Sequence, residues 1–277
     1  MIETRHPNYA EGFVLNWRLM FATTRSRTLA YASNTIQLIR SPLYPVFALI
    51  GFKLIYDISG QSTVARAEVV GFLVTGLLAI GAWQATVWGA GIALQSEMWS
   101  GTIGSVMMAP GSPTAVILGY TFANFLFFLP AVISTVVVGQ LMGAEWNVAD
   151  PLAIIVSLIA VYLSCVCVGM AFGGLFIMSR QANALSNFLQ EPIHLLGGFY
   201  VSRDVLPGWL QTVSNILPLA HALDALRAAS LQGASMRTIA DPLLWCLGTS
   251  LVFVLIGIWS LARLDRVVRH AGTLDLL

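Results

Sequence analysis

The chain has 277 residues, of which 57% are hydrophobic and only 10% charged, with a formal net charge of +1 and a mean hydropathy of +0.79. Soluble domains carry about 25% charged residues, so this composition excludes a soluble globular protein, and the near-zero charge without a basic stripe excludes a nucleic-acid binder. Six long apolar runs leave no tract for a separate soluble domain, and one polytopic membrane domain is expected.

Residues 1–41 form a polar, Arg-bearing N-terminal segment without the short apolar core and small-residue cleavage site of a signal peptide, so none is expected. Within it, residues 11–38 read as an amphipathic helix along the inner membrane surface. Phe13, Trp17, Met20 and Phe21 fall on one face, and Glu11, Arg18 and Arg25 on another. Such a helix anchors the chain to lipid, alone or while also touching a partner. Residues 42–277 hold the expected spans, near 42–58, 69–93, 114–142, 151–178, 184–201 and 242–262. Pro130 is expected to kink the third. These runs are far longer than the roughly 9–11-residue alternating strands of a membrane barrel, so the fold class is all-α.

Basic residues set the orientation. With a cytoplasmic N-terminus, Arg5, Arg18, Arg25, Arg27, Arg40, Arg180, Arg263, Arg266 and Arg269 fall inside, against Lys53, Arg66, Arg203, Arg227 and Arg237 at the outer side. That excess favours both termini in the cytoplasm. Cys165, Cys167 and Cys246 all lie within expected spans and read as buried small apolar residues, not as a disulfide or zinc site. Lys53 and Asp57, four apart near the outer end of the first span, suit a snorkelling ion pair.

Between the second and third spans, residues 97–110 carry Trp99, Ile103, Val106 and Met107 at helical spacing. An apolar face on a short cytoplasmic helix needs something to cover it, either a partner protein or its own bundle. Gly101 and Gly104 permit a close approach or a sharp turn there.

Residues 191–233 are nearly apolar yet cannot be one span, because Gly197-Gly198, Ser202-Arg203-Asp204, Pro207-Gly208 and Pro218 interrupt them. The expected product is the end of a span followed by two short helices. Leu206, Trp209, Leu210 and Val213 line one face of the first, and Leu219, Leu223 and Leu226 one face of the second. Both are expected to lie in the interface or dip into one leaflet. Asp224 and Arg227, three apart, are expected to pair. Inside the fifth span, Asn187, Glu191 and His194 share one face. An ionisable group in a bilayer is a functional hypothesis by default: the three form a polar strip along a translocation path, or Glu191 bonds a neighbouring helix or stays protonated.

Enzymatic signatures are missing. Lys53 is the single lysine and lies in an apolar run, so no Gly-rich loop with its phosphate-binding lysine is possible and the chain cannot hydrolyse ATP alone. Glu191 and His194 make a lone Glu-x-x-His, whereas a di-iron bundle needs two such pairs and further carboxylates. Gly248-Thr249-Ser250 lacks an opposing histidine span that would make it a protease site.

Two blocks carry a family resemblance. Leu206-Pro207-Gly208-Trp209-Leu210, Pro218-Leu219-Ala220-His221 and Asp224-Ala225-Leu226-Arg227 resemble the outer-face segment of ABC-2 type (type-2 ABC) exporter permeases. Glu97 through Gly101-Thr102-Ile103, ending at Ala109-Pro110, is similar to the same family's cytoplasmic Glu-x-x-x-Gly-Thr stretch. The pattern departs at Ile103-Gly104-Ser105, where relatives often continue Leu-Glu.

The resemblance implies a permease subunit of an ATP-driven exporter in a bacterial plasma membrane. A lone lysine beside many arginines also suits a GC-rich bacterial source. Glu97, Trp99, Gly101, Thr102, Ile103 and Pro110 would belong to a coupling helix seated on an ATP-binding subunit, of which two copies carry the ATP and Mg; no cofactor is implied in this chain. A second permease, identical or homologous, would complete a path lined by spans two and five. Residues 202–233 would form a re-entrant outer gate through Pro207, Trp209, Pro218, His221, Asp224 and Arg227. The cargo is an amphipathic lipid-like, drug-like or glycan molecule that the sequence does not name. The alternatives are a non-transporting scaffold and a proton-coupled secondary transporter or channel using Glu191 and His194. Folds of the latter kind usually show paired broken helices, and only one broken region is present.

Overall fold

The computed structural model describes residues 9–58, 63–86, 113–178 and 182–271. Among them the chain is helical, without a strand: α1 Tyr9–Ala32, α2 Thr35–Ile58, α3 Thr63–Trp83, α4 Pro113–Leu141, α5 Pro151–Met178, α6 Ala182–Leu196, α7 Gly208–Ser214, α8 Pro218–Leu231 and α9 Ala240–Ala271. A 3-10 turn, Arg203–Val205, precedes α7.

Among the described residues four helices are long and apolar enough to cross a membrane, over Glu68–Thr86, Leu118–Leu141, Pro151–Phe172 and Ala240–Trp259. They coincide with the second, third, fourth and sixth expected spans. The chain is also helical where the first and fifth were expected, but neither helix meets that criterion among the described residues. In α2, Pro42, Pro45, Lys53 and Asp57 dilute the apolar run. The α6 helix has 15 residues, about 22 Å at 1.5 Å each, against a hydrocarbon core of about 30 Å.

The central helix is α3. Of its apolar window 72% is buried inside the protein, against 11% for α9, so its partners cover most of it. It packs on α2, α4, α5 and α8, while α9 and α8 both lie on α5. Leu73, Val74, Leu77, Ala79, Ala82 and Trp83 form its share of the main core, with Phe128 of α4, Val161 and Cys165 of α5, and Leu219, Leu223 and Leu226 of α8. Pro130 lies inside α4 without ending it. At the start of α5, Asp150 Oδ1 accepts from the backbone N–H of Leu152 (3.1 Å) and Ala153 (3.4 Å). This is an N-cap followed by proline at the first helical position. Its other oxygen accepts from Met236 N–H at 3.1 Å, tying the approach to α9 down on α5.

The N-terminal segment differs from expectation in two respects. The expected helix over 11–38 is broken at Ser33-Asn34 and α2 begins at Thr35, so the expected boundary between residues 41 and 42 falls inside a helix. Pro42 and Pro45 are accommodated within it, with the Pro42 carbonyl accepting the Ser134 hydroxyl at 3.0 Å. Along α1, Val14, Trp17 and Phe21 are exposed. The side meeting α4 packs Leu19 against Val116 and Tyr120 and adds polar contacts: Thr24 Oγ1 donates to Gly119 O at 3.1 Å and the Arg27 guanidinium lies 4.3 Å over the Tyr120 ring.

Candidate functional site

The segment between α6 and α9 holds the densest polar network among the described residues. It begins where α6 stops. Phe199 N–H bonds to His194 O (3.0 Å) and Gly198 N–H to Leu195 O (3.1 Å), with Gly198 at φ +75°. That pattern is a Schellman cap, for which a left-handed residue is required and glycine is the inexpensive choice. The cap turns the chain inward onto α3. The Phe199 carbonyl lies so close to Gly76 that a Cβ there would overlap it. Gly76 lies near the middle of the Glu68–Thr86 window.

From that turn the chain is fastened at three points. Ser214, fully buried at the end of α7, donates its hydroxyl to Leu196 O at 2.6 Å, holding α7 against the end of α6. Arg203 ion-pairs with Asp224 of α8 and reaches Ser214 Oγ and Asn215 Oδ1, both at 3.4 Å. Arg227, 9% exposed, reaches from α8 into the bundle. Its Nη2 donates to Gly198 O at 2.7 Å, its Nε donates to Thr75 Oγ1 at 3.2 Å, and its guanidinium sits 3.6 Å over the Phe72 ring. One side chain thus joins the cap of α6, the body of α8 and the centre of α3.

The expected pairing of Asp224 with Arg227 is therefore corrected: the carboxylate's ion-pair partner is Arg203, and Arg227 points the other way. Burial raises the Asp224 carboxyl above its usual value, with Arg203, Arg227 and His221 each pulling it back. Burial lowers Arg227 from its usual value, which Asp224 opposes. Both residues lie outside the four candidate spans.

The sequence gives each short helix one apolar face, lying in the interface or dipping into one leaflet, and α8 is buried on more sides than that one face. Leu219, Leu223 and Leu226 are buried as expected, but so are Pro218, Ala220, Ala222, Ala225, Arg227, Ala229 and Ser230. The alanines let α8 approach α5, α9 and α3 together, so it is a core helix. The α7 helix keeps an exposed apolar side, with Trp209 69% and Val213 41% exposed. Pro207 is the N-cap of α7 and Pro218 the first residue of α8. His221 Nε2 lies 2.9 Å from Asn215 O, and its ring stacks on Trp245 of α9.

The polar strip expected on α6 is divided. Asn187 and Glu191 are exposed, whereas His194 is 1% exposed. Its ring is enclosed by Trp83, Phe199 and Tyr200, with Tyr200 Oη 3.3 Å from Nδ1. Among the described residues no hydrogen bond joins Glu191 to His194. The burial differs because the C-terminal end of α6 is roofed by its own cap and by Trp83, while Asn187, Phe188 and Glu191 lie outside that cover. Glu97, Trp99, Gly101, Thr102, Ile103 and Pro110 lie outside the described residues, and so does the Lys53 partner expected at the Asp57 side chain.

Sequence reasoning missed Arg203, Ser214, Thr75 and Phe72 as parts of this network. Arg203 was legible only as a charge that interrupts an apolar run, and the other three look like ordinary span or helix residues. A bundle of apolar helices, centred on α3 and closed by a buried arginine on a short inserted helix, defines a polytopic helical membrane protein.

The chain belongs to the ABC-2 type transporter family, whose sequence profile matches residues 13–231. It is 22% identical over 213 residues to the daunorubicin resistance ABC transporter permease protein DrrB1 of Streptomyces coeruleorubidus, covering 76% of this chain and 71% of that protein.

Proposed function

We propose that the chain is the membrane-spanning subunit of an ATP-driven exporter that moves an amphipathic molecule outward across a bacterial plasma membrane. The observation that carries this reading is the family match over residues 13–231, which takes in the 97–110 stretch and ends at the last residue of α8. In this reading α2 and α6 complete six crossings, with both termini in the cytoplasm. Two ATP-binding subunits hold the ATP and Mg and grip residues 97–110. Glycine at position 101 would permit their close approach. A second permease, identical or homologous, completes the path, and the exposed Asn187 and Glu191 on α6 face it.

The segment 202–233 acts as the outer gate. Support comes from the depth of its contacts: Thr75, which takes Arg227, is seven residues inside the Glu68 end of the α3 window, about 10 Å along the helix. A segment that reaches this far and returns to the same side is re-entrant. ATP-driven closure of the subunits below would be transmitted through 97–110 to α3, and from α3 to the gate through Arg227. The similarity to a daunorubicin resistance permease favours a drug-like cargo over a glycan.

The test is a mild-detergent pull-down of the tagged chain from its native membrane, with mass identification of companions and an ATPase assay. Recovery of a stoichiometric ABC-type ATPase that is lost on replacing Gly101 with tryptophan supports the exporter. A chain recovered alone, without ATPase activity, refutes it.

A further inference from the structure

A cavity of about 490 Å³ lies away from the gate network, in the groove where α3 and α4 run side by side. Its volume falls within the range of small-molecule sites, about 300–1,000 Å³. The α3 wall extends over Leu77, Leu78 and Gly81 to Gln84, and the α4 wall from Asn124 to Thr135. Tyr31, Arg40 and Tyr44, from the end of α1 and the start of α2, close the third side.

Three features of this lining point to an occupant. Asn124 is 5% exposed, and its Nδ2 has no hydrogen-bond partner among the described residues. A buried amide left this way is costly unless something in the cavity accepts from it. Thr135 makes no such demand, because its hydroxyl donates to Ala131 O at 2.6 Å. Second, among the described residues the polar lining contains a cation and no acid. Its polar members are Tyr31, Arg40, Tyr44, Gln84, Asn124 and Thr135, and Arg40 is exposed with no ion pair or hydrogen bond to any described residue. Third, the α3 end of the groove takes a π-helical turn at residues 84–86, a rare distortion that accumulates at functional sites. The remaining walls are apolar, Phe127 and Phe128 among them.

The geometry points to a binding site for one acidic amphiphile, its phosphate or carboxylate on Arg40, an oxygen accepting from the Asn124 amide, and its apolar body along Phe127, Phe128 and Leu77. A cationic amphiphile meets Arg40 with no carboxylate among the described lining residues to offset it and is selected against. The acid-bearing molecule is either a lipid of the surrounding membrane or the cargo itself. The binding does not depend on the exporter reading, because every lining residue belongs to this chain.

The test uses the full chain, purified in an uncharged detergent, and two photoreactive probes with the same single acyl chain carrying a diazirine. One ends in a phosphate, as a lysophosphatidic acid, and the other in a primary amine. Crosslinked peptides are mapped by mass spectrometry. The phosphate probe is expected to label peptides containing Asn124 and Phe128, with the amine probe about tenfold weaker. Arg40→Gln, at an exposed position where folding is not in question, should reduce phosphate labelling about tenfold. Ala131→Trp, which fills the groove, should abolish it. Equal labelling by both probes, or phosphate labelling unchanged in Arg40→Gln, overturns the site.

The source is read separately. An acidic lipid that co-purifies with the wild-type chain but not with Arg40→Gln identifies resident lipid. Phosphate-probe labelling that falls when the ATPase-bound complex turns over ATP identifies cargo. Either result upholds the site, and a failed pull-down of the ATPase would leave the probe result standing.

Discussion

Replacing Arg227 with alanine unfastens the inserted segment from α3. The change removes a charged donor from Gly198 O (2.7 Å) and Thr75 Oγ1 (3.2 Å) and lifts the guanidinium off the Phe72 ring. A hydrogen bond from a charged group is worth about 1.5–3 kcal/mol, and a desolvated cation–π contact about 2 kcal/mol. Against this, deletion recovers the cost of burying the guanidinium, and Asp224 keeps its partner Arg203. The expected net loss is about 2–4 kcal/mol, confined to opening of the segment. The readout is a cysteine placed at Ser214, which is fully buried, in a background with Cys165, Cys167 and Cys246 changed to alanine. Where opening equilibrates before labelling, the maleimide reaction in detergent should accelerate about 30- to 700-fold. Arg227→Lys, which keeps the charge but not the fork, should fall between. A rise below about threefold, the range of ordinary surface substitutions, or one matched by Gln232→Ala at an exposed position, would refute the fastening.

Gly76→Ala should be more damaging than its size suggests, because the added Cβ meets the backbone carbonyl of Phe199 and not a movable side chain. A loss of about 1–3 kcal/mol is expected, read as reduced thermal stability in detergent, whereas Gly248→Ala, with open space around it, should be silent. Within the Arg203 and Asp224 pair, Arg203→Gln should destabilise more than Asp224→Asn, because only the first strands a carboxylate that burial already disfavours. The folded Asp224 carboxyl sits above its ordinary 3.8, so the folded state binds the proton more tightly. Its contribution therefore grows as pH falls through the raised value toward about 3.8 and is lost as pH rises again. The effect is screened, because this side chain is 37% exposed. Asp224→Asn should flatten that part of the pH dependence of melting, and an unchanged profile would exclude Asp224 as its source. Glu191→Gln should alter transport while leaving ATPase binding intact, as measured by substrate efflux and pull-down together; unchanged efflux would leave Glu191 a purely structural residue.

Much of the architecture is readable from local composition. A hydropathy sum over about 20 residues needs no knowledge of neighbours, so the second, third, fourth and sixth spans fall where the sequence puts them. The same sum misjudges α6. Its apolar run continues through Phe199-Tyr200-Val201, but the helix ends at Leu196 because Gly198 takes a positive φ. Hydropathy is blind to the sign of a dihedral angle. The break in residues 191–233 is legible for the complementary reason, since glycine and proline announce themselves wherever they stand.

A helical membrane protein with an interrupted segment before its last span follows from local composition alone, because burial of backbone and apolar surface in lipid depends on local runs. What that segment is fastened to emerges only when the helices pack. Spacing alone makes Asp224 and Arg227 neighbours on α8, yet the first turns to Arg203 and the second to α3. The free energy of a buried charge depends on which dipoles and charges stand opposite it in space, and that is set when α3 and α8 pack, at Gly76 and Gly198, not by any pattern along the chain.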